Sequence, residues 1–454
     1  MVVPSRVADR LLAETLGRPA MIEELRRLCD TVGGRTSGAP SGAEAEEWAI
    51  GLLSGWGLRV RTEDLPVRAW LRGDLEAEVR APVRWRLTAL AHGNAPSSAD
   101  VTAPVVDVGH GEREDWERAA GEVTDRFALC DEAASEGRRK LHRTEKLAMA
   151  VEFGAAGLLI ESSASGGLPR TGVCYHGEAP IPSVGISLED GRRLRRLLES
   201  GVQPTVRVAM SNRFVDGVAR TVLADIAGAL APEEAVIAGA HLDSWDVAQG
   251  AVDNGQGVAI VMEMARAFAA LGEAPRRTLR FALWAAEEVG LMGSTAYVAN
   301  HAAELDRLAA VMNFDMTGDP TGFYTPGIAE PGDLLRGLAR QLGPLGVREE
   351  FGRRASLHSD HQPFMLAGVP IVSVAGRLDE EAGRYYHAVG DTFDKVAAPA
   401  VCRAACVGAT TMWALAEAPE RPFARLSPAQ VRAMVAEADL GEALAAMGVR
   451  LPED

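Results

Sequence analysis

Residues 234–246, EAVIAGAHLDSWD, run from an apolar stretch of strand length straight into a histidine and an aspartate, His241 and Asp243. The near-continuous apolar run predicts a strand covered on both faces, the pattern of a parallel sheet between helices. The same grammar recurs at RTVLADIAG (220–228), RTLRFALWAA (277–286), LAAVMNFDM (308–316) and PIVSVAG (370–376). Helical stretches are expected between and after them, at 257–270, 292–300, 332–342 and 360–367. This alternation predicts an α/β domain with a mixed, mostly parallel sheet flanked by helices.

Acidic and histidine side chains gather where these strands stop. His241 follows the first run directly, Glu287 and Glu288 follow RTLRFALWAA, and Asp315 closes LAAVMNF. His387 lies in YYHAVGDT beyond PIVSVAG, and Asp253 lies in the glycine-rich AVDNGQG. Sites in open α/β sheets form outside the carboxyl ends of the strands, so separate strand ends can converge on one crevice. Two imidazoles and several carboxylates suit zinc, although cobalt or manganese accepts the same donors. Two close ions need a shared carboxylate, and Asp253 on its turn is the natural bridge. Of the adjacent pair Glu287 and Glu288, one can bind metal while the other moves protons. Asp243 can orient His241 from behind. Taken singly, each of these motifs is more often a strand end or a helix cap; their order along one chain is what points to a metal site.

Residues 8–30 read as one amphipathic helix ending at Gly33-Gly34, and a second helix follows near 43–55. Residues 58–90 alternate in the manner of strands. A compact α+β module is expected over 96–212, and helices near 400–416 and 427–447 finish the chain. The expected division is therefore 1–95 and 213–425 for the main domain, 96–212 for an insert and 426–454 for a helical tail. A chain of 454 residues exceeds one ordinary core. The net charge of -16 argues against nucleic acid as a partner. No apolar run reaches the roughly 20 residues of a membrane helix. Asp9, Arg10 and Glu14 interrupt the N-terminal stretch, and five cysteines without CxxC spacing read as reduced thiols, so a cytoplasmic protein is expected. His92, His110, His142, His176 and His301 are expected in surface or capping roles. His358 and His361 either line the pocket or sit beside a helix cap made by Ser359 or Asp360. Arg353, Arg354, Arg384, Tyr385 and Tyr386 are close in sequence to His387; an arginine there could hold a substrate carboxylate or be a solvated charge.

With these motifs in order, the chain resembles the co-catalytic dizinc exopeptidase family, on its aminopeptidase Y and carboxypeptidase Q branches. GAHLDSWD, DNGQG, the Glu287-Glu288 pair, NFDM, SDHQPFMLAGVP and HAVGDT carry the resemblance, and 96–212, with GAAGLLIES and IPSVGIS, resembles that family's protease-associated insert. The resemblance implies one zinc on His241, Asp253 and Asp315 and a second on Asp253, Glu288 and His387. It implies Glu287 as general base and then acid, Asp243 as support, and attack of a zinc-bridging hydroxide on a peptide or amide carbonyl. Dipeptides or short peptides are the implied substrates, and a homodimer is expected. Ala388 replaces the small hydroxyl residue common after the last ligand, and Asn254 stands where the carboxypeptidase Q branch often has a second acid, so DNGQG leans toward the aminopeptidase pattern; both bear on substrate preference. Alternatives are a deacylase acting on a specialised amide and a non-catalytic binding protein; cyclisation of N-terminal glutamine fits poorly with a full two-ion set.

Overall fold

The computed structural model describes residues 2–453. Helices α1 (Ser5–Leu12), α2 (Met21–Thr31) and α3 (Pro40–Gly55) lead into the sheet. The single helix expected over 8–30 is thus two, because the chain turns at Arg18 and Pro19, and a proline inside a helix lacks the amide proton and crowds the preceding turn. Next come β1 (Arg59–Ala81), β2 (Trp85–Arg86), β3 (Ala89–Ala91), β4 (Ser98–Asp107), α4 (Arg113–Val123), β5 (Phe127–Asp131), α5 (Arg143–Glu152), β6 (Gly157–Glu161), β7 (Ser183–Ile186) and α6 (Leu188–Glu199). Helix α4 has no counterpart in the sequence reading.

Strand β8 (Thr205–Ile226) joins the two halves of the protein. Its first part pairs antiparallel with β4 in the insert, and its last part pairs antiparallel with β10 (Arg277–Trp284), which follows β9 (Ala231–His241) and α7 (Gln256–Leu271). Strand β1 runs antiparallel along nearly all of β8. The insert's layer also takes in β3, which precedes residue 96 and pairs with β7. One sheet therefore passes through both halves, and the insert is fixed to the main domain by continuous strands.

The main domain continues with α8 (Met292–Asn300), β11 (Leu308–Asn313), β12 (Asp319–Tyr324), α9 (Gly332–Gln341), β13 (Phe351–Gly352), α10 (His361–Leu366), β14 (Ser373–Arg377), α11 (Glu380–Arg384) and α12 (Ala398–Glu417). Strands β9, β10 and β11 are mutually parallel. The segment 370–376, expected as a plain sheet strand, splits. Ile371 bridges Val311 on β11, and then β14 crosses to pair with β12 in a small second sheet. Almost every side chain of α7 is buried, and Phe268, Phe281 and Phe314 share its core. Burial of one such side chain is worth about 1.5–3 kcal/mol, which makes α7 a rigid base for the loop before it.

The expected tail helix over 427–447 is two helices, α13 (Pro428–Glu437) and α14 (Gly441–Ala446), separated at Asp439, whose φ of 58° is left-handed. No helix of the described residues is long and apolar enough to cross a membrane. All five cysteines are unpaired, and all but Cys402 are buried.

Candidate metal centre

The parallel strands β9, β10 and β11 end on one side of the sheet, and the acidic and histidine residues collect there. His241 is the last residue of β9, Glu287 and Glu288 lie on the turn after β10, and Asp315 lies just beyond β11. Asp253 precedes α7, on a loop whose peptide Asp253–Asn254 is cis. Gly257 is needed behind it, since a Cβ there would lie 2.2 Å from both Asn254 Oδ1 and the Phe314 carbonyl.

Two donor sets result, His241 with Asp253 and Asp315, and His387 with Asp253 and Glu288. His241 Nε2 stands 3.3 Å from Asp253 Oδ1 and 3.4 Å from Asp315 Oδ1. His387 Nε2 stands 3.1 Å from Asp253 Oδ2 and 3.0 Å from Glu288 Oε2. Each nitrogen thus faces two oxygens at nearly equal distance. A single N–H cannot serve both well, whereas a cation between the three donors can. Donor atoms around a tetrahedral ion with bonds of about 2.0–2.1 Å are separated by about 3.3 Å. The two oxygens of Asp253 are divided between the sets, as a bridging carboxylate requires.

The ring nitrogens facing away support this. His241 Nδ1 is 3.0 Å from the Asp243 carbonyl oxygen and His387 Nδ1 is 3.3 Å from that of Thr171, so each ring has an acceptor for an Nδ1–H, the tautomer that leaves Nε2 as a lone-pair donor. Burial drives the Glu287 carboxyl well above its ordinary range and lifts Glu288 to about 7, although His241 and His387 pull the other way. His387 is raised to about 9, its burial outweighed by Glu288 and Asp253. A buried cluster with this excess of carboxylates favours cations, and the donor set fits two divalent ions.

Glu287 belongs to neither set. Its Oε2 is 4.0 Å from His241 Nε2, and it lines a cavity of about 480 Å³ together with Asp253, Glu288, Asp315 and His387. Asp243 stands behind His241, as expected, and also acts on the glutamate turn. Its carbonyl, not its carboxylate, holds His241, while its Oδ1 and Oδ2 accept the backbone N–H groups of Glu287 and Glu288 at 3.1 and 3.3 Å. It therefore aims the glutamate turn as well as the imidazole.

Other supports were absent from the sequence reading. Asp391, four residues after His387 in the same motif, accepts the backbone N–H of Val252 at 2.6 Å and of Asp253 at 3.1 Å. Its burial lifts its pKa to about 6. Ser359 caps no helix with its side chain; its hydroxyl donates to Asp315 Oδ2 at 2.6 Å, leaving Oδ1 toward His241. Asn254 donates to the Phe314 carbonyl and accepts from Gly257 and Met316, so this departure shapes the scaffold and does not face substrate.

The outer histidines divide. His142, His176 and His358 line the cavity, and the His142 and His358 rings stack 4.5 Å apart. His142 also caps α5, accepting from Thr144. His361 bonds the Ser356 carbonyl instead of reaching the cavity. His92, expected at the surface, is buried beside Ser183. His110 pairs with Asp131, and His301 with Glu63. Arg353, Arg354 and Arg384 bond the carbonyls of Ala329, Ala438 and Ser165 and take no part in the centre. Tyr385 lies under the Lys395 ammonium, and Tyr386 stacks on His387 with ring centroids 3.8 Å apart.

The insert reaches the centre through Thr171. Besides its carbonyl at His387 Nδ1, its N–H donates to the His387 carbonyl at 2.9 Å. Its hydroxyl bonds the Ala91 carbonyl and accepts from Arg72, which is itself paired with Asp246. Removing such an outer partner lowers metal affinity by about 10–100-fold. Thr171→Val leaves the backbone carbonyl in place but removes the hydroxyl that fixes it to Ala91 and Arg72, so it is expected to lie at the low end and to weaken metal binding at the His387 donor set alone, with Thr171→Ser restoring it. A zinc titration resolving two sites checks this; equal weakening at both sites would show a general loss of structure instead.

Residues 221–412 match Peptidase family M28, and residues 101–194 match the PA domain. Mouse (Mus musculus) carboxypeptidase Q is 30% identical over 411 residues, an alignment covering 88% of this chain and 86% of that protein. The Peptidase M28 precursor from Shewanella amazonensis SB2B superposes with a TM-score of 0.83 at 27% identity, covering 93% of this chain and 99% of that one. A zinc aminopeptidase from Bacillus subtilis, at 21% identity, shares the fold with a TM-score of 0.66 over 87% of this chain and 93% of its own. The matched residues hold all of the donors found at the strand ends, and the chain belongs to peptidase family M28, as a metallopeptidase that carries a PA domain within its catalytic fold.

Proposed function

We propose that this chain is a dizinc exopeptidase that hydrolyses free dipeptides or short peptides and reads their carboxyl terminus. The observation that carries the reading is the pair of donor sets sharing Asp253, with Glu287 beside them in one cavity. His241, Asp253 and Asp315 would hold one ion, and Asp253, Glu288 and His387 the other. When bound, the ions polarise the scissile carbonyl and acidify the attacking water. Glu287 takes the proton from that water and delivers it to the leaving amine. The Asp243 carboxylate keeps the Glu287 backbone in place while the side chain does so.

Arg143 supports the carboxylate assignment. It comes from the insert at the start of α5, lines the cavity, and makes no ion pair among the described residues. Its buried Nε has no hydrogen-bond partner among the described residues. Its Nη2 lies 3.3 Å from His387 Nδ1, whose proton is directed to Thr171, so the guanidinium finds no acceptor there. A guanidinium with its fork unfilled can donate two parallel bonds to a carboxylate. An N-acyl amino acid presents the same carboxylate, which keeps a deacylase as the second reading.

The test offers zinc-loaded protein free, N-acylated and C-amidated dipeptides and follows products by mass spectrometry. Cleavage of free and not amidated dipeptides is expected, and Arg143→Ala should raise KM for them about 10–100-fold, the roughly 1.5–3 kcal/mol of a charge-assisted bond. Equal cleavage of amidated dipeptides would remove the carboxylate from recognition. Cleavage of acylated substrates alone would establish the deacylase.

A further inference from the structure

The C-terminal tail, outside the residues that match the peptidase family, forms part of the wall of the metal cavity. Met447 and Val449 line it together with Glu287, Asp315 and Arg143. The tail is fixed there. Val431, Met434, Val435 and Leu444 are buried in one cluster with Phe364, Met365 and Val369 of the main domain. After α14 the chain turns at Gly448, whose φ is 69°, and Val449 N–H bonds back to the Leu444 carbonyl at 2.9 Å. Arg354 holds the Ala438 carbonyl, and Arg432 holds that of Pro452.

The position of this wall has a direction. Helix α14 packs against α5, the helix whose first residue is Arg143. The tail and the carboxylate-reading arginine thus belong to the same side of the cavity. A second cavity of about 370 Å³, lined by Trp70, Phe214 and Trp245, meets the first at His176, Glu288 and Gly290 and has no tail residue in its lining. One arm of the cleft is bounded by the tail and the other is not.

We infer that the tail sets substrate length: it blocks extension beyond the residue that bears the carboxylate, and so confines to dipeptides a site that would otherwise remove single residues from the amino end of longer peptides. This rests on the exopeptidase reading with Arg143 on the carboxyl side. A peptide lengthened on that side meets Met447 and Val449, whereas the chemistry at the ions and Glu287 is unaltered by its length.

The experiment compares kcat/KM for a free dipeptide and for the tripeptide made by adding one residue at its carboxyl end. Three zinc-loaded proteins are used: the full chain, the chain ending at Leu440, and the full chain with Met447→Ala and Val449→Ala. The double variant keeps α13 and α14, so it still reports if the truncated chain fails to fold. The full chain should prefer the dipeptide, and in either variant the tripeptide-to-dipeptide ratio should rise at least about tenfold, the scale of discrimination by small changes in an apolar pocket. An unchanged ratio in both variants, with the dipeptide still cleaved, overturns the role of the tail and leaves the exopeptidase reading intact. A full chain that already cleaves the tripeptide as fast as the dipeptide also overturns it. A full chain inactive on every free peptide, with two zincs bound, instead brings down the exopeptidase reading on which the inference stands.

Discussion

Glu287→Gln is expected to keep both metal ions and to lose turnover by about 10²–10⁴-fold, the usual contribution of a positioned general base. The carboxylate lies outside both donor sets, 4.0 Å from His241 Nε2, so its loss removes no ligand. Glutamine has nearly the same shape, and the backbone N–H of residue 287 still reaches Asp243. What disappears is the capacity to accept a proton and pass it on. Burial and the neighbouring acids Asp315, Glu288 and Asp360 drive the Glu287 pKa upward, with His241 opposing them. Bound cations pull it back toward a group that can both take and give a proton. The check pairs steady-state kinetics with zinc content by elemental mass spectrometry. Near-normal kcat with two ions would take the proton transfer away from Glu287, and loss of an ion would place it among the ligands.

Much of the candidate site was legible in sequence because four of its residues end apolar strands, whereas Asp253 and His387 lie on loops and were picked out by their motifs. His241, the Glu287-Glu288 turn and Asp315 stand at or just past the ends of β9, β10 and β11, and parallel neighbours bring their ends together. Local pattern was enough to place them. Residues that act from a distance were not legible. Thr171 and Arg143 lie in the insert, in stretches that look like ordinary loop and helix start, and only the docking of the insert sets them at His387. The arginines near His387 in sequence were natural candidates for a substrate carboxylate, but each bonds a backbone carbonyl elsewhere.

The same distinction explains the domain outline. An alternating strand signal was visible before residue 96, but alternation looks alike on either side of a boundary. The pattern cannot show that β1 and β8 run 23 and 22 residues and pass through both layers. Asp391 was missed for another reason. It stands in a motif already noted, yet its partners are the backbone N–H groups of Val252 and Asp253, and a backbone partner leaves no residue type to recognise.

Asp253→Asn should have the largest effect of any single change at the centre. Asp253 alone belongs to both donor sets, with Oδ1 toward His241 and Oδ2 toward His387. Asparagine keeps the volume and its backbone bonds to Asp391, but one oxygen becomes an NH₂ group with no lone pair for a metal. The variant therefore binds at most one ion tightly, and hydrolysis should fall below that of Glu287→Gln, which retains both. Stability carries an independent signature. Ligands that bind only the folded chain stabilise it by mass action, about 4 kcal/mol for one site at a free concentration a thousand times Kd. Denaturant unfolding with and without zinc should show that increment twice in the native chain and no more than once in Asp253→Asn. Two ions bound at native affinity in the variant would rule out the shared carboxylate, and each ion would then have to be held by the remaining donors of its own set.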